Sequence, residues 1–160
     1  MKLYRLQRKQ QIPLSVNKAW AFFSNPRNLS KITPDSLGFD ILYDSSDVSE
    51  SMYEGMIIEY RVRPILSIPV HWVTEITHVK EPYYFIDVQR FGPYRFWHHQ
   101  HVFKENENGT EIIDIVHYVL PFGYIGRIIR ELVVKRQLEK IFDYRTKYLK
   151  KTFSTISPEE

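Results

Sequence analysis

The chain has 160 residues, no cysteine, 43% hydrophobic and 15% aromatic residues, and a formal net charge of +3. Without cysteine there is no disulfide, thiolate metal site, iron–sulfur cluster or cysteine nucleophile, and the aromatic load excludes a disordered chain. One domain is expected over residues 1–153, followed by a flexible tail at 154–160; a domain of this size buries enough surface to fold without staples.

The start, Met1-Lys2-Leu3-Tyr4-Arg5, alternates charge and bulk, so no signal peptide is expected. No apolar run approaches the roughly 18 residues of a membrane span, so no integral membrane segment is expected, and the default location is the cytoplasm. Leu3–Ile12 reads as a strand ended by Pro13. Ser15 is a candidate N-cap for a short helix carrying Ala19, Trp20, Phe22 and Phe23. Asn25-Pro26 reads as a second cap with proline at the first helical position, opening a short helix over Pro26–Ile32.

From Leu37 the period changes to two. Leu37–Tyr43, Met56–Arg63, Val70–Val79, Tyr83–Phe91, Arg95–Lys104 and Thr110–Leu120 read as strands. The connectors carry Glu81-Pro82, Gly92-Pro93 and Asn108-Gly109, short turns that imply an antiparallel meander. The stretch Tyr43–Glu54 reads as a mobile surface loop. Beyond Gly123, apolar residues recur at helical spacing to about Thr152, a helix of roughly 25 residues. Residues 124–152 hold nine Lys/Arg against three Asp/Glu, read as a solvated basic face. One strand, two short helices, six strands and one long helix make an α+β domain. A long helix must bury its stripe on the open face of the curved sheet, and a cavity between the two suits a ligand.

Several runs sharpen this. They are Ala19-Trp20-Ala21-Phe22-Phe23, Asn25-Pro26-Arg27-Asn28-Leu29, Gly92-Pro93-Tyr94-Arg95-Phe96-Trp97 and His99-x-His101-x-Phe103. Asp114-x-Val116-x-Tyr118-x-Leu120-Pro121-Phe122-Gly123 and Phe142-Asp143-Tyr144-Arg145 complete the set. With this element order the chain resembles the START-like helix-grip (SRPBCC, Bet v allergen-like) superfamily. Within it, the runs look like a bacterial ligand-binding or polyketide cyclase-like subgroup, some of whose relatives are labelled cell division inhibitors. The resemblance covers about residues 3–152. It implies a helix-grip fold: a seven-stranded curved antiparallel sheet, two short helices after the first strand, and the long C-terminal helix over the concave face.

Strand parity divides the pocket residues. On the fifth of the seven strands periodicity favours Tyr84, Ile86 and Val88 as the inner face, whereas the resemblance implies Phe85, Asp87 and Gln89. Following the resemblance, the expected ligand-binding wall contains Tyr60, Trp72, Thr74, Phe85, Asp87, Gln89, Trp97, His99, His101, Asp114 and Tyr118, with Leu132 and Phe142 from the long helix. Ile76, Ile129 and Val133 are expected beside them. Ile86, Val88, Ile113 and Ile115 then fall on the outer face, where a contiguous patch would serve a homodimer. The mixture of rings and polar groups points to a small hydrophobic or amphipathic ligand, carried or sensed.

His99 and His101 can present two imidazoles to one ion, with Asp114 or His71 as a third donor, but His-x-His is common by chance. The pair is read instead as a hydrogen-bonded network with Asp114 and Tyr118, and no metal or other cofactor is expected. An alternative assigns His99, His101 and Asp114 catalytic roles in a cyclase or dehydratase built on a histidine–carboxylate pair. A third reading is a protein-binding regulatory domain. No glycine-rich phosphate loop and no interleaved basic and aromatic strand face is present, so no nucleic acid is expected as partner.

Overall fold

A computed structural model describes residues 1–44, 49, 51–65, 68–121, 123 and 133–153. The strands are β1 (Tyr4–Ile12), β2 (Asp40–Asp44), β3 (Ile57–Ile65), β4 (Ile68–Lys80), β5 (Tyr84–Phe91), β6 (Phe96–Asn106) and β7 (Gly109–Val119). They form one antiparallel sheet in the order β1-β7-β6-β5-β4-β3-β2. The meander β2–β7 is extended by β1 along the free side of β7, where Tyr4 faces Tyr118 and Ile12 faces Thr110. Register shifts occur on both sides of β4, at Val62/Ile65 against β3 and at Val73/Thr74 and Ile76/His78 against β5. Such irregularities bend a strand and increase its twist, and they curve this sheet.

Helix α1 (Val16–Phe23) follows β1. Ser15 caps it as its residue type predicts, its side chain accepting from the Lys18 amide. The expected helix over Pro26–Ile32 is shorter: a 3-10 turn at Pro26–Asn28, capped by Asn25. The hydroxyls of Ser30 and Thr33 donate to the carbonyls of Arg27 and Leu29. Those local bonds compete with a regular helix, and Pro34 ends the segment. A second 3-10 turn, Asp35–Leu37, occupies what reads as the start of the next strand, so β2 begins at Asp40.

Helix α2 (Lys135–Phe153) is the last element among the described residues. Its buried residues are Leu138, Phe142, Arg145, Leu149 and Phe153, a stripe at steps of three and four. The first part of the expected long helix, with Ile129 and Leu132, lies outside the described residues, as do Phe122 and the tail at 154–160. Among the described residues no helix is long and apolar enough to cross a membrane.

Two clusters make the core. In one, Trp20 of α1 meets Phe85 and Phe103 edge-on at 5.8 and 5.7 Å, with Ile12, Ile112 and Leu149 packed around them. In the other, Trp97 meets Trp72 edge-on at 5.2 Å, and Val116, Leu138 and Phe142 complete the packing. Phe85, His99, His101, Asp114 and Tyr118 are all buried, whereas Tyr84, Ile86 and Val88 are only half-buried. Inner and outer faces therefore follow the family resemblance and not the apolar alternation of β5.

Candidate functional site

Between the sheet and α2 lies a cavity of about 350 Å³. Sheet residues Tyr60, Trp72, Phe85 and Trp97 line it, Leu138 and Phe142 close it from α2, and Leu29 and Phe39 reach it from the segment between α1 and β2. The Tyr60 hydroxyl lies 3.1 Å from the Thr74 hydroxyl in the same wall, so these two polar groups satisfy one another. An outer depression of about 420 Å³ shares Leu37, Gln137 and Ile141 with the cavity and adds Arg136 and Lys140.

The polar part of the wall is built by register. Asp87 of β5 stands opposite His99 of β6, and His101 of β6 stands opposite Asp114 of β7. Residues directly opposite share a face, and diagonal neighbours are close enough for long side chains to meet. Two carboxylates and two imidazoles therefore form a closed ring on three adjacent strands. Asp87 Oδ2 lies 3.2 Å from His99 Nδ1 and 3.0 Å from His101 Nε2. Asp114 Oδ1 lies 3.0 Å from His99 Nε2 and 2.8 Å from His101 Nδ1. The His99–Asp114 contact and the His101 Nε2–Asp87 contact have hydrogen-bond geometry; His101 Nδ1 is buried without a hydrogen-bond partner despite its short approach. Trp97 Nε1 donates to the other Asp87 oxygen at 3.2 Å. Arg145 of α2 donates from Nη1 to Asp114 Oδ1 at 3.3 Å and lies over the Phe142 ring.

These contacts decide the charges. Burial alone would raise the pKa of both aspartates, because a carboxylate is costly in a medium of low dielectric. For Asp87 the opposing charge and hydrogen bonds of His99 and His101 prevail and hold it below the usual range. For Asp114 the charge of Arg145 leads, aided by both histidines, and holds it well below. Burial would lower His99; the two carboxylates overcome this and bring it up to about 9. Tyr60 and Tyr94 are pushed up by burial, helped by the charge of Asp87 and by Tyr118 respectively.

Of the expected wall, Tyr60, Trp72, Thr74, Phe85, Asp87, Trp97, His99, His101 and Phe142 line the cavity. Three do not. Gln89 turns to the β5–β6 connection, where its amide donates to the Tyr94 carbonyl at 2.6 Å and accepts from the Tyr94 amide at 3.2 Å. Asp114 sits behind the histidines, and Tyr118 is core, stacked on Tyr4 at 5.5 Å. Leu132 lies outside the described residues. His71, weighed as a third metal donor, is exposed and paired with Glu59, so Asp87 and not His71 or Asp114 completes a donor triplet with the histidines on the cavity side. Arg145 was missed as a wall residue. Its signal was present, because it falls on the buried stripe between Phe142 and Leu149.

No protein-family model matches the chain, and no curated protein matches it. Solved structures do. Protein CV1439 from Chromobacterium violaceum aligns with a TM-score of 0.69 at 10% identity, over 96% of this chain and 99% of that one. TTHA0849 from Thermus thermophilus aligns at 0.68 and 14% identity, over 94% and 95%. Ginseng major latex-like protein 151 from Panax ginseng aligns at 0.67 and 11% identity, over 94% and 97%. The chain has the helix-grip fold. At such identities the likeness carries architecture and not activity.

Proposed function

We propose that the protein binds one small amphipathic molecule in the cavity between sheet and α2, as a carrier or sensor. The observation that supports this best is the make-up of the wall: rings and aliphatic side chains around a charged cluster of Asp87, His99, His101 and Arg145, with the Tyr60–Thr74 hydroxyl pair apart from it. Ligand sites combine mostly apolar walls with a few polar groups that fix orientation, in volumes of about 300–1,000 Å³. The cavity lies at the small end of that range. The aromatic wall, together with the sequence runs that resemble the polyketide cyclase-like subgroup, favours an aromatic or fused-ring body over a bare acyl chain. Arg136 and Lys140 at the outer depression suit a ligand that enters with an anionic group.

A second reading has one observation in its favour. His99, held charged between two carboxylates in the cavity wall, is placed to act as a general acid in a cyclisation or dehydration.

Comparing the native and denatured masses of the purified protein tests the binding reading. A mass excess of a few hundred daltons, lost on denaturation, is the expected result; with no excess, the naphthalene dye ANS serves as probe. Thr74 is 4% exposed in the wall, so Thr74→Trp fills the space and is expected to abolish dye binding while the protein stays folded by circular dichroism. Equal dye binding by the folded variant would place the site elsewhere.

A further inference from the structure

We propose that Asp87 Oδ2, His99 Nδ1 and His101 Nε2 form a three-donor site for one divalent transition-metal ion, zinc or iron(II), whose remaining coordination positions face the cavity. It does not depend on the organic-ligand reading: a cavity that takes no organic molecule would still bind the ion.

Three observations carry it. The first is spacing. Metal–donor distances of about 2.0–2.2 Å place neighbouring donors about 2.8–3.6 Å apart at right-angled to tetrahedral geometry. Asp87 Oδ2 is 3.2 Å from His99 Nδ1 and 3.0 Å from His101 Nε2, and one ligand atom from each of the three residues lies within 4.8 Å of the others. Two imidazoles and one carboxylate with open positions is a donor set that suits zinc and non-haem iron.

The second is the outer layer. A metal-bound histidine nearly always donates its other N–H to a carboxylate or carbonyl, which fixes its tautomer and ring orientation. Here the second nitrogens of both histidines, His99 Nε2 and His101 Nδ1, lie 3.0 and 2.8 Å from the same oxygen of Asp114. Arg145 donates to that same oxygen. The first carboxylate is held in turn, because Trp97 Nε1 donates to the Asp87 oxygen that faces away from the triplet. His101 Nδ1 is buried without a hydrogen-bond partner. An ion on Nε2 would put the proton of this ring on Nδ1, beside Asp114, and satisfy it.

The third is access. Asp87, His99 and His101 line the cavity, whereas Asp114 does not. The three donors therefore present one side to the space where a water or ligand oxygen completes the coordination, and the closed side is protein. Among the described residues, neither His71, exposed and paired with Glu59, nor the outer-face pair His98 and His117, whose rings are 6.3 Å apart, has such a layer behind it.

The test is titration of the full chain, freed of metal by chelation and dialysis, with zinc by calorimetry and with cobalt(II) by visible absorption. One ion per chain is expected. Asp87→Asn and His101→Gln should each weaken zinc at least a hundredfold. Trp97→Phe, which frees only the outer Asp87 oxygen, should weaken it about 10–100-fold. A His98→Gln, His117→Gln double variant should bind as the parent does. No uptake by the parent chain overturns the proposal. So does zinc affinity unchanged in Asp87→Asn and His101→Gln but lost in the outer-face double variant. Should the inner variants not fold, cobalt decides on the parent chain: paramagnetic shifts of the buried imidazole signals support the site, and unshifted signals overturn it.

Discussion

At position 145 the long helix places a guanidinium where its stripe calls for a hydrocarbon. Arg145 and Asp114 are 7% and 4% exposed, and the pair is one contact of 3.3 Å across the interface of α2 and β7. Burying two charges yields little net stability, but removing one of them strands the other. Arg145→Leu restores the stripe and leaves Asp114 with the histidines alone, so it should cost about 3–5 kcal/mol in urea unfolding. Adding Asp114→Asn removes the stranded charge, and the double variant should recover a large part of that loss. Strict additivity would mean that the histidines alone compensate Asp114. Parity puts His99 and His101 on one face of their strand, and the family resemblance joins that face to Asp114. Parity could not reveal Arg145, because a cation on a basic helix looks like solvated surface until the stripe is counted through it.

The element that sets the geometry of the β6–β7 half of the ring is a turn. Asn106 pairs with Gly109 across Glu107-Asn108, and counting five residues back from one and forward from the other brings His101 opposite Asp114. The Asn108-Gly109 turn signal marks the hairpin but not this register: with those two residues as the loop, His101 would face Val116. The β5–β6 connection is held by Gln89 wrapping the Tyr94 backbone, a side-chain use that alternation does not show. For the same reason Gln89 read as a wall residue. The element order and the fold were legible because long alternating runs and one helical stripe leave few architectures. The inner face of β5 was not legible from period, since β-branched residues suit a half-exposed sheet surface as well as a core. Gly109 has a φ of +109°, and a Cβ there would run into the Ile12 carbonyl oxygen at the start of the Pro13 bend. The obstructing atoms are backbone and cannot swing away. Gly109→Ala should therefore lower stability by about 1–3 kcal/mol, read as a drop in the urea midpoint, and an unchanged midpoint would mean that the turn relaxes freely.

At the scale of the whole molecule, the cavity adjoins both packed clusters, around Trp20 and around Trp72 and Trp97. Tyr60 and Tyr94 both line it. Tyr94 lies against Trp72, Trp97 and Tyr118 with ring centres 4.8–5.8 Å away. Ionising either phenol inside this assembly is costly, chiefly through burial and then through the charge of Asp87 or the neighbouring Tyr118. The consequence is an alkaline limb of stability. In the unfolded chain both phenols ionise near pH 10, whereas in the folded protein they keep their protons to higher pH. Above about pH 10 the folded state then binds more protons than the unfolded state, so unfolding free energy falls as pH rises, by up to about 1.4 kcal/mol per pH unit for each retained proton. Below about pH 9 the two tyrosines contribute no slope. The comparison that isolates them is the parent against Tyr94→Phe, which keeps the ring contacts and removes the titration. Urea unfolding at a series of pH values should show the variant losing less stability than the parent above pH 10, with parallel curves below. Curves that stay parallel throughout would mean that the Tyr94 hydroxyl reaches water through the cavity and ionises as freely in the folded protein as in the unfolded chain.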